Sequence, residues 1–124
     1  MFLLIFWSDD WVYDEGPYDY VGATEACNAR GMVVVQIDNA EENTRVGELL
    51  PQDSNSWAWI RNPSLAGSNE YSNFLPDRGL VDNACTRFFS YWRTYHDYWD
   101  DQSCQDQGPV VCEKLLQNEP IQGI

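Results

Sequence analysis

Basic residues are scarce in this chain: Lys and Arg together number 7 against 20 Asp and Glu in 124 residues, a formal charge of −13 at pH 7. A surface so acidic repels phosphate backbones and anionic headgroups, which argues against nucleic acid and against membrane binding. Histidine is scarcer still, with His96 alone, so any Ser or Cys nucleophile would have one candidate base. Long hydrophobic runs are missing as well. The apolar start, Met1 to Trp7, is far too short to span a bilayer, lacks a basic n-region and is followed by no small-residue cleavage site. There is no Asn-x-Ser/Thr acceptor, because Asn62-Pro63-Ser64 is broken by its proline. Carboxylate pairs abound, but a chain this acidic forms many by chance. The expectation is a protein with no catalysis and no organic cofactor.

Aromatic residues, by contrast, are plentiful. The chain is 44% hydrophobic and 15% aromatic, with six Trp and seven Tyr. That content rules out disorder and suits one compact domain with a modest core. Four cysteines, Cys27, Cys85, Cys104 and Cys112, form an even set without the close C-x-x-C spacing of a zinc site. They point to two disulfides and an oxidising compartment, and spacing alone leaves three connectivities open.

Along the chain, residues 1–6 read as an edge strand or the remnant of a longer precursor. Residues 7–20 alternate aromatic and acidic side chains around Gly16-Pro17 and predict one or two short strands. Tyr20, Ala23 and Cys27 recur at helical spacing, and Gly31 is placed to end that helix. Met32–Ile37 is β-branched strand material. A second helix starts after Asn39 as N-cap, with Glu42 as capping-box partner, Val46, Leu49 and Leu50 as its buried stripe and Pro51 as its stop. Trp57–Ile60 is a short apolar strand, and residues 61–83, rich in Asn, Ser, Gly, Pro and Asp, form a long loop. Aromatic strands then run from Cys85 to Phe89, from Tyr91 to Trp99 and from Val110 to Glu113, followed by a tail at 115–124. Helices early and antiparallel strands late make an α+β order.

Several of these fragments, in order, resemble the C-type lectin-like domain family. Tyr20, Ala23 and Cys27 with Gly31 match its first helix, and Val35 to Asn43 its strand-to-second-helix junction. Trp59-Ile60 is similar to its Trp-Ile-Gly-Leu, Trp99-Asp100-Asp101 with Cys104 to its Trp-Asn-Asp-x-x-Cys, and Val111 to Lys114 to its last strand. The similarity covers about Trp11 to Lys114, and the domain is set at 7–114. The resemblance implies a double-looped α+β fold whose ends meet, with bridges Cys27–Cys112 and Cys85–Cys104.

Three candidate sites follow. In many members of the family Glu-Pro-Asn, a further acid and the Asn-Asp of Trp-Asn-Asp hold a calcium that binds sugar hydroxyls, since Ca²⁺ takes six to eight oxygens. Here Asp100 and Asp101 stand in the later half. The earlier half is missing: Tyr71 to Pro76 is followed by Asp77-Arg78-Gly79-Leu80, and Arg78 brings a positive charge, with Asp82 or Asn83 as possible oxygen donors. The plainer alternative makes Asp100 and Asp101 a solvated turn supporting a buried Trp99. The resemblance also implies a structural calcium on Gln36, Asp38, Glu42 and Glu113, against which stands Glu42 as a simple capping residue. The third site is the aromatic stretch Phe88 to Trp99 inside the 18 residues between Cys85 and Cys104. Strict alternation puts Phe89, Tyr91, Arg93 and Tyr95 on one face and Phe88, Trp92, Thr94 and His96 on the other, too many rings for one core face. They serve either as rigid recognition area or as a hairpin that covers itself. His96 with Asp97 and Asp100 is a weak candidate for a transition metal.

The resulting expectation is a secreted or extracellular recognition module. Tyr91, Trp92, Tyr95, His96, Tyr98, Asp100 and Asp101 meet a carbohydrate or an extracellular protein. Calcium-dependent sugar binding through a non-standard ligand set is one alternative; a self-associating structural module of a larger extracellular protein is another. An acidic composition by itself excludes neither ice nor mineral binding, which the fold hosts elsewhere.

Overall fold

The computed structural model describes residues 10–52, 56–63, 71–76, 83–92 and 95–114, without the side chains of Tyr91, Trp92 and Tyr95. The segments 1–6 and 115–124, with Arg78 and Asp82, lie outside the described residues. In chain order the elements are β1 (Trp11–Tyr18), α1 (Tyr20–Ala29), β2 (Met32–Val34), α2 (Ala40–Leu49), β3 (Trp57–Trp59), β4 (Ala84–Trp92), β5 (Tyr95–Ser103) and β6 (Gly108–Lys114). They form one sheet in the order β1-β6-β3-β4-β5, with β2 also on β6. Only the Trp59↔Val110 contact of β3 with β6 is parallel among these strand pairings. The α+β class is as expected, and the described ends meet where Trp11 pairs with Glu113.

Helices cover both faces of this sheet, which is why its central strands are apolar at consecutive positions. Neighbouring residues fall into different cores. Val34, Trp59 and Val110 pack with Ala23 and Cys27 of α1. Val35, Ala58, Ile60 and Val111 pack with Val46 and Leu50 of the α2 segment, together with Phe88 and Trp99. Period-two alternation thus splits each apolar run between two cores.

Local chemistry sets the boundaries. Asp19 caps α1, its Oδ1 accepting from the Gly22 N–H at 2.8 Å, and Gly31 leaves the helix at φ +72°. Asn39 caps α2 by accepting from the Glu42 N–H at 2.9 Å. Residues 11–18 make a single strand. The expected turn is an irregularity within it, with Gly16 at φ +64° and the register to β6 shifting between Asp14 and Tyr18. A Cβ on Gly16 would press on Tyr18 at 2.7 Å, so only glycine fits. The strand expected to reach Ile37 ends at Val34. Val35 still donates to the Val111 carbonyl, but the Gln36 N–H turns to the Glu113 carboxylate.

Both disulfides follow the pairing that the resemblance implied. Cys27–Cys112 ties α1 to β6 and Cys85–Cys104 ties the start of β4 to the residue after β5, with Cα separations of 5.5 and 5.1 Å.

Candidate functional site

The aromatic stretch is a hairpin. Its ladder runs from Ala84↔Ser103 to Trp92↔Tyr95, and the Cys85–Cys104 bridge closes its base. At mid-length β3 reinforces it through Trp57↔Phe89 and Trp59↔Arg87. Beyond Ser90, whose N–H donates to the Ser56 carbonyl, the strand pairings of Tyr91 and Trp92 among the described residues are with β5 alone. Among the described residues the far end of the hairpin is therefore a two-stranded ribbon that extends beyond the pairing with β3. Strict alternation through the stretch does not hold, because the chain reverses between Trp92 and Tyr95. The register sets His96 opposite Tyr91, whereas continuous alternation had grouped it with Trp92.

The root of this ribbon is firmly held. Phe88 and Trp99, opposite each other, are buried. The Trp99 indole N–H donates to Asn43 Oδ1 of α2 at 2.8 Å. The amides of Asn43 and Asn73 both donate to the Asp97 carbonyl, at 2.8 and 2.9 Å. Asn73 and Leu75 bond to Trp99 through main-chain groups, each at 3.0 Å, and Tyr71 and Phe74 meet the Trp99 ring edge-on. Asp97 itself sits at φ +61°. Burial raises its carboxyl above the ordinary value and the Glu48 charge adds to that, while His96 opposes both. Burial, then the charges of Asp97 and Tyr98, push the Tyr71 phenol up.

Among the expected contact residues, His96 is exposed and Tyr98 and Asp101 are half-buried. Tyr91, Trp92 and Tyr95 occupy the ribbon end by register; their side chains lie outside the described residues. Asp100 departs from the expectation. It is only 4% exposed, and Arg87 grips it with two bonds, Nε to Oδ1 at 2.6 Å and Nη2 to Oδ2 at 3.0 Å. The same guanidinium lies over the Trp57 ring at 5.2 Å. Asp100 is thus neither an exposed acid for a ligand nor part of a solvated turn, since residues 99–101 belong to β5. Strand placement also separates it from His96, four residues or about 13 Å away, which removes the proposed His96–Asp100 metal pair.

The second acidic set does come together, although 77 residues separate Gln36 from Glu113. Glu113 Oε2 accepts from the Gln36 N–H, Asp38 Oδ1 from Gln36 Nε2, and Glu42 Oε1 from the Asp38 N–H, each at 2.8 Å. Gln36 Oε1 accepts from the Arg61 guanidinium at 2.6 Å. Glu42 therefore reaches one residue further back than the expected capping box. Each of the four residues already has an oxygen accepting a hydrogen bond, and a cationic side chain touches one of them. The set as it stands does not fit calcium, which needs six to eight oxygens free to converge. Among the described residues no group of three or more His, Cys, Asp or Glu is arranged to hold a metal ion. Sequence reasoning missed Arg61, Arg87, Asn43 and Asn73. The one available signal was their placement beside expected ligand segments in a chain so poor in cations.

This sandwich of two helices on a mixed sheet, with nested disulfides and a bridged terminal hairpin, is the C-type lectin-like fold. No protein-family model matches the sequence, and no curated protein matches it closely. Solved structures do match. The chain is similar to SPL-1 in a complex with GlcNAc (20% identity, 84% of this chain and 85% of that one, TM-score 0.69). It is also similar to a calcium-independent type II antifreeze protein (16%, 84% of each chain, TM-score 0.70). A third likeness is to the cow C-type carbohydrate-recognition domain of CD23, solved in the presence of a GlcNAc2Man3 oligosaccharide (19%, 90% and 92%, TM-score 0.67). At these identities the likeness is one of fold.

Proposed function

We propose that this chain is an extracellular recognition module that binds a carbohydrate or an extracellular protein through the far end of the β4–β5 hairpin. Tyr91, Trp92, Tyr95, His96 and Tyr98 form the contact area, and Asp101 supplies an acidic contact. The observation that carries this reading is the aromatic ribbon extending past β3 from a root locked by Trp99, Asn43 and Asn73. Tyr and Trp give large contact area with few torsions to freeze, and a rigid root keeps the ordering cost of binding low. Their rings also stack on the apolar faces of sugars, and two of the similar structures were solved as a GlcNAc complex or in the presence of a GlcNAc-containing oligosaccharide. Asp100 is left out of the contact set because Arg87 holds it. The hold of Arg87 on Asp100 also weighs against the alternative of calcium-dependent sugar binding. The two disulfides favour an oxidising, extracellular setting. No helix among the described residues is long and apolar enough to cross a membrane.

The test is a glycan array, run with calcium and with EDTA, on the unaltered chain and on the double variant Trp92→Ala/Tyr95→Ala. The expected outcome is capture that ignores EDTA and vanishes in the variant, with the melting temperature unchanged. A marked fall in melting temperature would show these rings to be core and would defeat the reading.

A further inference from the structure

We propose that the Arg61 guanidinium is the resident cation of the Gln36–Asp38–Glu42–Glu113 cluster, so that the junction of α2 with β6 is held together without calcium. Asp38, Glu42 and Glu113 are linked there by hydrogen bonds through Gln36 and the Asp38 N–H, in a chain whose charge is already −13. A nearby positive charge steadies a set of like charges of this kind. Arg61 is set in place to be that partner. Its own N–H donates to the Val35 carbonyl at 2.8 Å, and the preceding residue, Ile60, donates to Thr86. The side chain is therefore launched from the sheet itself, one residue from Gln36 across that bond.

The Gln36 amide relays the charge. Its oxygen accepts the short charge-assisted bond from Arg61, and its nitrogen donates to Asp38, so each bond polarises the next. Meanwhile the Gln36 main-chain N–H fixes Glu113 and the Asp38 N–H fixes Glu42. A calcium ion entering here would have to break these bonds and sit beside a fixed positive charge. Arg87 repeats the arrangement at the other cation position that the resemblance implies, where it binds Asp100 through two nitrogens. Two of only seven basic residues are thus committed to the two positions where the resemblance implies a cation.

The experiment compares thermal melting of the unaltered chain, Arg61→Met and Arg61→Lys in EDTA and in millimolar calcium, with magnesium as control. Terbium luminescence reports occupancy directly. The unaltered chain is expected to melt at one temperature under all conditions and to bind no terbium in the cluster. Arg61→Met is expected to melt lower in EDTA and to recover on adding calcium, with terbium emission to match. Arg61→Lys, which keeps a cation, should follow the unaltered chain. A saturable calcium-induced rise in the melting temperature of the unaltered chain would overturn the assignment. So would an Arg61→Met variant that melts like the unaltered chain in EDTA. If Arg61→Met fails to fold, calorimetry of the unaltered chain with calcium decides: saturable heat defeats the proposal and its absence supports it.

Discussion

Asp97 shows how much one residue can concentrate. Its backbone lies in the left-handed region, which Asn and Asp tolerate better than other non-glycine residues. Its carbonyl takes two asparagine amides, and its carboxylate lies against Gly47 so closely that a Cβ there would clash. Burial and Glu48 raise its pKa. Between the ordinary carboxylate value and the raised one, the folded state holds a proton that the unfolded chain has already released. Stability from this group is full at low pH and falls as pH rises from the ordinary carboxylate value to the raised one. Asp14 works in the opposite sense. Burial pushes its carboxyl up, but the Gly16 N–H, Arg30 and the Tyr18 hydroxyl outweigh that and lower it. Its contribution is present at neutral pH and is lost as pH falls below the ordinary value. Asp97→Asn keeps the left-handed backbone and removes the charge. It should raise the melting temperature at pH 7 and flatten the Asp97 slope in a series of melts across the acid range. None of this was legible beforehand, because Asn43 and Asn73 lie 54 and 24 residues from Asp97.

Between elements, the decisive link is α2 to the hairpin. The pattern of α2 predicted its apolar stripe, and Val46 and Leu50 are indeed buried. It did not predict that Asn43 and Gly47 share the buried side. Asn43 is a poor core residue unless paired, and here it accepts from the Trp99 indole and donates to the Asp97 carbonyl. Asn43→Ala leaves a buried indole N–H without its acceptor and should cost about 1–3 kcal/mol, measured by urea denaturation. A fall within experimental error would mean that the hairpin root does not depend on this joint. The caps of α1 and α2 were more readable: Asn39 and Gly31 act as their positions suggested, because capping is settled within one turn of chain.

At the scale of the whole molecule, two crosslinks of very different span hold the sheet. Cys27–Cys112 spans 85 residues and Cys85–Cys104 spans 19. Loop-closure entropy assigns about 4–5 kcal/mol to the first and about 3 kcal/mol to the second. Replacing the outer pair by serines should therefore destabilise more than replacing the inner pair. The inner pair, at the base of the hairpin, should be the one whose loss weakens ligand capture in a protein that is still folded. Denaturant unfolding and the glycan array read the two effects separately.

By itself the sequence determined what is settled over short distances: two capped helices, apolar strands and an aromatic stretch able to form a hairpin. Together with the family resemblance it also determined the order of elements and the pairing of the cysteines. Only the tertiary structure decided which charges are free to act. The match of Arg87 to Asp100, of Arg61 to Gln36 and of Asn43 to Trp99 joins residues 13, 25 and 56 positions apart. No periodicity reports such partners, because they meet only after the sheet has brought its strands into register.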